Sequence, residues 1–258
     1  MSKQEKKKYW DFKAAAVEGE GDLYIYGDIV SWQWDDDDTS ANSFKRDLDA
    51  LGDISRLNLY VNSPGGSVFE GVTIGNIIKR HKAYVIANID GLAASIASVI
   101  VMAADEVRMP RNAMMMIHNP WTFTWGNAAE LRKAADDLDR IGGSMKESYL
   151  AKTGDKITPE KLTELLDAET WLSAQECLDY GLCDVVEEAN QAAACVSNEL
   201  FAKYRNVPKD IAAKVNEPES PQASGNDEEI TAYLQRIKDT AGLELQNINS
   251  YLGGIING

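Results

Sequence analysis

Between residues 20 and 190, short apolar segments typical of β-strands alternate with longer segments of helical periodicity. A strand that alternates with helices buries its faces against them, so this pattern predicts an α/β fold. The predicted strands cover residues 22–30, 56–62, 83–89, 106–110 and 113–118.

The helical segments carry recognisable start and stop signals. Thr39 or Ser40 can cap a helix through residues 42–51, Thr158 precedes a proline at a first helical position, and "SAQE" (173–176) is a capping box whose helix should end at Gly181. Residues 68–80 and 127–154 also have helical spacing, and the second of these is long and amphipathic, with one face formed by Leu131, Ala135, Leu138 and Ile141.

The composition divides the chain into three parts. Residues 1–20 form a loose, charged lead-in, residues 21–190 form the α/β domain, and residues 191–258 form an extension with a polar, proline-containing linker over about 205–227 and a terminal helix. The acidic run 35–38 precedes a predicted helix start, where a solvated cap or loop is favoured over a metal or partner site.

Charge and cysteine usage exclude several classes of function. A net charge of −15 argues against nucleic acid as the main partner, because phosphate binding needs basic patches. Neither a signal peptide nor a membrane span is predicted, since the apolar run 92–104 is too short to cross a bilayer. Three cysteines without C-x-x-C spacing favour a reducing cytoplasm, and neither a metal nor an organic cofactor is expected.

The segment "NIDGLAASIASVIVMAA" (88–104) is apolar, yet it places Ser95 and Ser98 in what is predicted to be a buried helix. A buried serine can simply bond back to a carbonyl one turn earlier. Alternatively, one serine is a nucleophile at a helix start, where free backbone amides could hold an oxyanion. The residues of this segment alone leave both interpretations open.

A serine nucleophile needs a base, and the chain has only two histidines. His81 lies among cations at a predicted helix end, as a surface residue would. His118 ends the apolar run "AMMMIH" and opens into a loop, where catalytic groups tend to lie. The turn "SPGGS" (63–67) offers backbone amides with little side-chain obstruction, although a plain strand-to-helix turn explains it equally well.

Taken together, "NSPGGSVFEG", "DGLAASIAS", "MMMIHNP" and "ETWLSAQECLDYGLCDVV" resemble the proteolytic subunit of the Clp protease, ClpP, in the same order along the chain. "HNPWT", "GNAAELRKAADDLD" and "DAETWLSAQE" are more similar to the ClpP-related head maturation (prohead) proteases of tailed phages and prophages. The resemblance implies a serine peptidase on a ClpP/crotonase-like spiral of βαβ units.

The resemblance also implies the site residues. Ser95 would be the nucleophile, His118 the base, and the amides of Gly66 and Ile96 the oxyanion donors, whereas Ser98 would serve only in packing. The family's third member is an aspartate, but the matching position here is Glu169, and Asp167 is a rival.

The relatives form homo-oligomeric rings, heptameric or double, joined through a long helix that would correspond to residues 127–152. The resemblance implies protein or peptide substrates, which in the phage branch would be capsid, scaffold or portal protein. In the cellular branch it implies an AAA+ unfoldase as a partner. The expected location is the bacterial or infected-host cytoplasm, or the procapsid, without a nucleic-acid or membrane partner.

Three rival interpretations remain at this point. A serine–lysine peptidase on the same fold would use Lys146 or Lys152 as its base. A crotonase-type acyl-CoA enzyme would share the glycine turn without needing the serine–histidine pair. A catalytically silent ring would act as an assembly scaffold.

Overall fold

The computed structural model describes residues 8–30, 40–189 and 204–207. The described part of the chain is built around an eight-stranded mixed sheet. Its strands are β1 (Trp10–Ala14), β2 (Glu20–Tyr26), β3 (Arg56–Ser63), β4 (Tyr84–Ala94), β5 (Glu106–Pro110), β6 (Met114–Ile117), β7 (Thr170–Ser173) and β8 (Val185–Glu187).

The helices follow the strands in the alternation that the sequence predicts. They are α1 (Ser40–Asp49), α2 (Val68–Lys79), α3 (Ile96–Val101), α4 (Ala128–Thr153), α5 (Pro159–Asp167) and α6 (Ala174–Tyr180), with a short 3₁₀ turn over Gly154–Lys156. The Thr158 cap, the Ser173–Glu176 capping box and the left-handed Gly181 are all present. The α/β fold class is therefore confirmed.

Strand β4 organises the sheet because it changes partners along its length. Its first half lies parallel to both β3 and β5, and its second half pairs with β6 through Leu92, Ala93 and Ala94. The pairing of β3 with β4 shifts register between Val61 and Ser63. Because β3, β4 and β6 run in parallel, the residues that follow them meet at one edge of the sheet.

Two predicted boundaries differ from the structure. The lead-in is not loose throughout, since β1 pairs antiparallel with β2, and Trp10 is buried against Phe44. The segment that begins at Asn88 is not helical from its start, because residues up to Ala94 belong to β4 and only Ile96–Val101 is helix. Small residues such as Ala93 and Ala94 fit either state, and strand pairing on both sides decides for the strand.

Several sequence-based predictions fall outside the described residues. They concern the acidic run 35–38, Thr39, Cys195, and the terminal helix with nearly all of its linker. Within the ranges that the structure does describe, no helix is long and apolar enough to cross a membrane.

Candidate active site

Ser95 and His118 lie next to each other at the edge of the sheet where β4 and β6 end. The Nε2 atom of His118 is 2.7 Å from the Ser95 Oγ atom, a hydrogen-bonding distance. Both residues are buried, with exposed fractions of 9% and 6%. Strand pairing explains the arrangement, because Ala94 is the register partner of Met116 and each site residue follows its strand closely.

The backbone of Ser95 is held in a strained conformation immediately before α3. Its φ of 55° and ψ of −129° lie in a region that residues with side chains rarely adopt. The Ser95 amide donates to the Met116 carbonyl at 2.8 Å, and the Ser95 carbonyl accepts from the Ser98 hydroxyl at 2.6 Å. These two bonds hold the backbone of Ser95 in place and so position its hydroxyl, which faces His118.

Ser98 does more than fill space. Its hydroxyl also lies 2.7 Å from the phenol oxygen of Tyr149, which is completely buried on α4. Ser98 is therefore a buried structural residue, and the local back-bond considered for this segment is present. These hydrogen bonds connect Tyr149 through Ser98 to the Ser95 carbonyl, and so link the strained residue to the long helix α4.

The glycine turn after β3 lies directly against Ser95. A Cβ atom on Gly65 would come within 2.7 Å of both the Ala94 carbonyl oxygen and Ser95 Cβ, and one on Gly66 would come within 2.0 Å of the Ile29 carbonyl oxygen. Both glycines also have positive φ, so the turn requires glycine at each position.

The glycine turn is anchored to Ile29 through the residues on either side of Gly66. The Gly65 carbonyl accepts from Ile29, and the Ser67 amide donates back to Ile29, so the Gly66 amide is outside this pairing. Ile96 is the first residue of α3, and its amide is among those that no helical carbonyl can reach. Both predicted oxyanion donors thus flank Ser95 on the chain and across the turn.

Comparison with known proteins adds independent evidence. The sequence profile of the Clp protease family matches residues 27–190, which contain both members of the pair. The chain belongs to the Clp protease family. Two curated relatives, the ATP-dependent Clp protease proteolytic subunits of Streptococcus agalactiae serotype V and serotype III strains, are each 33% identical over 161 residues, covering 60% of this chain and 81% of theirs. The ClpP-like fold with its long helix α4 is confirmed on the same grounds.

The two acids proposed as third members in this Clp family chain have different surroundings. Asp167 accepts a hydrogen bond at 2.6 Å from the side-chain amide of Asn119, the neighbour of His118. Glu169 has a positive φ of 50°, and it shares this feature only with Ser95 among the non-glycine residues that the structure describes. Against the lowering effect of burial, the negative charge of Glu169 acts to raise the pKa of the His118 ring. The Oε1 atom of Glu169 accepts hydrogen bonds from the backbone amides of Arg205 and Asn206.

The surroundings of His118 keep the imidazole neutral. Burial lowers the pKa of His118 below its usual value of 6.5, and the charge of Glu169 opposes this by raising it. A neutral imidazole can accept a proton from Ser95, so the protonation state suits a general base.

Tyr204 is a site residue that the sequence did not reveal. Its ring contacts the His118 ring edge-on, with 5.5 Å between centroids, and its hydroxyl donates to the Pro64 carbonyl. A cavity of about 290 Å³ remains beside it, bounded by Gly66, Ser95, His118, Trp121, Phe123 and Tyr204. No motif marks Tyr204, because it lies beyond the region that matches the family.

The alternative bases and the second histidine are engaged elsewhere. Lys146 donates to Thr163, and Lys152 forms an ion pair with Asp184 at 2.7 Å. His81 accepts the Ala83 amide at the turn before β4, as a structural residue would. None of these contacts involves Ser95, so the serine–lysine interpretation loses its support.

The pH dependence of peptide hydrolysis follows from the lowered pKa of His118. Only the neutral ring can accept a proton from Ser95, so with His118 as the base kcat/KM should fall on the acid side with a midpoint below pH 6.5. In Glu169→Gln the charge that raises this pKa is gone, and the midpoint should move to still lower pH. Glutamine retains an oxygen that can accept the same two amides, which limits other changes.

Asp167→Asn is the matched control for this measurement, because Asp167 bonds to Asn119. Its acid midpoint should equal that of the wild type. A midpoint above 6.5 in the wild type, or an upward shift in Glu169→Gln, would contradict this account of His118.

Proposed function

We propose that this member of the Clp protease family is a serine endopeptidase with Ser95 as nucleophile and His118 as general base. The observation that carries the proposal is the 2.7 Å contact between His118 Nε2 and Ser95 Oγ beside a turn that requires glycine. A lone serine or histidine would have little weight, but this pair matches the requirements of an activated hydroxyl.

The reaction uses groups of this chain and water. Ser95 Oγ attacks the scissile carbonyl carbon while its proton passes to His118 Nε2, and the Gly66 and Ile96 amides donate to the resulting oxyanion. His118 then protonates the leaving amine, and the C–N bond breaks to leave an acyl-enzyme. Water gives a proton to His118 and attacks the ester carbonyl carbon. The C–Oγ bond then breaks, His118 returns the proton to Ser95 Oγ, and the carboxyl product leaves.

Glu169 is proposed as the third member of the triad. Support comes from its electrostatic effect on His118 and from its positive φ, a strain that it shares with Ser95. In this role its carboxylate accepts a hydrogen bond from the imidazole, holding the ring in the tautomer that leaves Nε2 free to take the proton.

The physiological role that we propose is head maturation in a tailed phage or prophage, with cleavage of scaffold, capsid or portal protein. This proposal rests on the sequence blocks around residues 118–122, 126–139 and 167–176, which resemble that branch of the family. The exposed aromatic side chains Trp121 and Phe123 line the cleft, Trp125 contacts Phe123, and this aromatic surface suits apolar segments of an incompletely folded protein.

A ring assembly built through α4 is part of the same proposal. Leu131, on the face predicted to be apolar, is 44% exposed in the single chain. Burial of that face against a second copy would remove apolar surface from water. The second candidate role is that of the Streptococcus relatives named above, an ATP-dependent proteolytic subunit, here working with an unfoldase.

An experiment during phage growth distinguishes these roles. New protein termini are identified in cells that produce the wild type and in cells that produce Ser95→Ala, and the two sets are compared. We expect Ser95-dependent termini confined to capsid, scaffold or portal proteins, without any need for ATP in extracts. Ser95-dependent cleavage of many host proteins that stops when ATP is removed would favour the unfoldase-linked role.

A further inference from the structure

The residues 204–207, called the strap below, lie against the proposed catalytic cleft. The Tyr204 ring packs edge-on against both His118 and Trp171, and Tyr204 and Val207 join a small apolar cluster with Leu92, Ala94 and Met116. The Tyr204 hydroxyl donates to Pro64, the residue before the two glycines of the oxyanion turn. The strap therefore touches the base and the turn at once.

The strap also engages the proposed third member of the triad. The Oε1 atom of Glu169 accepts the amides of Arg205 at 2.6 Å and Asn206 at 2.9 Å, and the Asn206 side chain donates to the Ala168 carbonyl at 2.7 Å. Hydrogen bonds from amides to a carboxylate are among the stronger ones. Within the described residues, the amides of Arg205 and Asn206 are the hydrogen-bond donors to the Glu169 carboxylate, and the His118 ring is not among them.

The position of Tyr204 also limits access to Ser95. The Tyr204 phenol interacts with the Ser95 side chain, and burial raises the pKa of this phenol to about 12, so it remains a neutral donor. A peptide carbonyl that approaches Ser95 would meet the Tyr204 ring within the cleft. The residue is held by packing and by Pro64, so it restricts the approach to Ser95 beside the cavity that remains there.

We propose that the strap is an intramolecular inhibitor that closes the catalytic cleft and withholds Glu169 from His118. Release of the strap opens the cleft and frees the Glu169 carboxylate to orient the imidazole. The inference rests on the proposed serine peptidase function and adds its regulation. The occupant of the cleft is a segment of this chain, which is tethered and so needs no high intrinsic affinity.

The test compares full-length wild type with Tyr204→Ala and Asn206→Ala. The first change removes the ring that contacts His118, and the second removes the bond to Ala168. Tyr84→Ala is the matched control, since Tyr84 is an exposed tyrosine at the opposite end of β4 from Ser95. The readouts are the rate of Ser95 modification by a fluorophosphonate and the rate of tryptic cleavage after Arg205.

In both strap variants, Ser95 should be modified at least roughly tenfold faster than in the wild type. This factor corresponds to a cleft that is open about a tenth of the time in the intact chain. Tryptic cleavage after Arg205 should also accelerate, and Tyr84→Ala should match the wild type in both assays. Equal Ser95 modification of wild type and strap variants would overturn the inhibitory role while leaving the peptidase intact.

A third result would contradict both proposals and is distinguishable from the loss of the inhibitory role alone. Absence of any Ser95 adduct in wild type and variants, although tryptic cleavage accelerates in the variants, would mean that the strap docks over a serine that is not activated. That outcome overturns the proposed function and the inhibition together.

Discussion

Ser95→Ala should lower kcat for peptide hydrolysis by on the order of 10⁶-fold, the loss seen when a serine protease loses its nucleophile. The Ser95 hydroxyl is the group that His118 contacts, and alanine has no oxygen for His118 to deprotonate or for the acyl group to be transferred to. The fold should survive, because the two bonds that hold this residue use its backbone amide and carbonyl.

Ser55→Ala provides the matched control for this loss. Ser55 is exposed and its hydroxyl donates to the Gly19 carbonyl, in a turn away from the cleft. Peptidase activity of Ser55→Ala should equal that of the wild type. A Ser95→Ala protein that retains more than a few per cent of wild-type activity would exclude Ser95 as the nucleophile.

His118→Ala should cause a loss of similar size, about 10⁶-fold in kcat, since a serine without its base is barely nucleophilic. The double variant Ser95→Ala/His118→Ala should be no worse than either single variant, because the two groups act as one unit. A stopped or continuous peptidase assay at saturating substrate measures all three.

His81→Ala is the control for the second prediction. The His81 ring accepts one local amide, so its loss should affect stability slightly and catalysis not at all. Losses that multiply in the double variant would show that Ser95 and His118 act separately. Full activity in His118→Ala would require another base.

The serine–histidine pair of the candidate site could be predicted because its motifs resemble those of the ClpP family, although the strand that precedes Ser95 was not predicted to extend to Ala94. "GLAAS" and "MMMIH" end in Ser95 and His118, and parallel pairing of β4 with β6 brings those ends together. The glycine turn could be located from the residues themselves, since it follows the predicted strand over 56–62, and that strand is β3, the other parallel neighbour of β4.

Other parts of the fold depend on contacts that local sequence does not contain. The segment Trp10–Ala14 is short and charged, and it becomes a strand through pairing with β2 and packing of Trp10 on Phe44. The start of the Ser95 segment has small residues compatible with helix, and β3 and β6 hold it as a strand instead.

The surroundings of Glu169 were the least predictable part of the site. The position follows from the "ETWLSA" pattern, but the bonding partners come from residues 205 and 206. Likewise, Ser98 and Tyr149 are far apart in sequence and meet only because α4 packs against α3. Hydrogen bonds between distant segments leave no periodic signal.

The most direct test of the account is intact-mass measurement after treatment with a fluorophosphonate, applied to the wild type, Ser95→Ala, His118→Ala and the Tyr204→Ala variant. We predict one adduct per chain on the wild type, faster modification of Tyr204→Ala, and no adduct on Ser95→Ala or His118→Ala. An adduct that persists in Ser95→Ala, or the absence of an adduct even in Tyr204→Ala, would contradict the claim that Ser95 is an activated nucleophile.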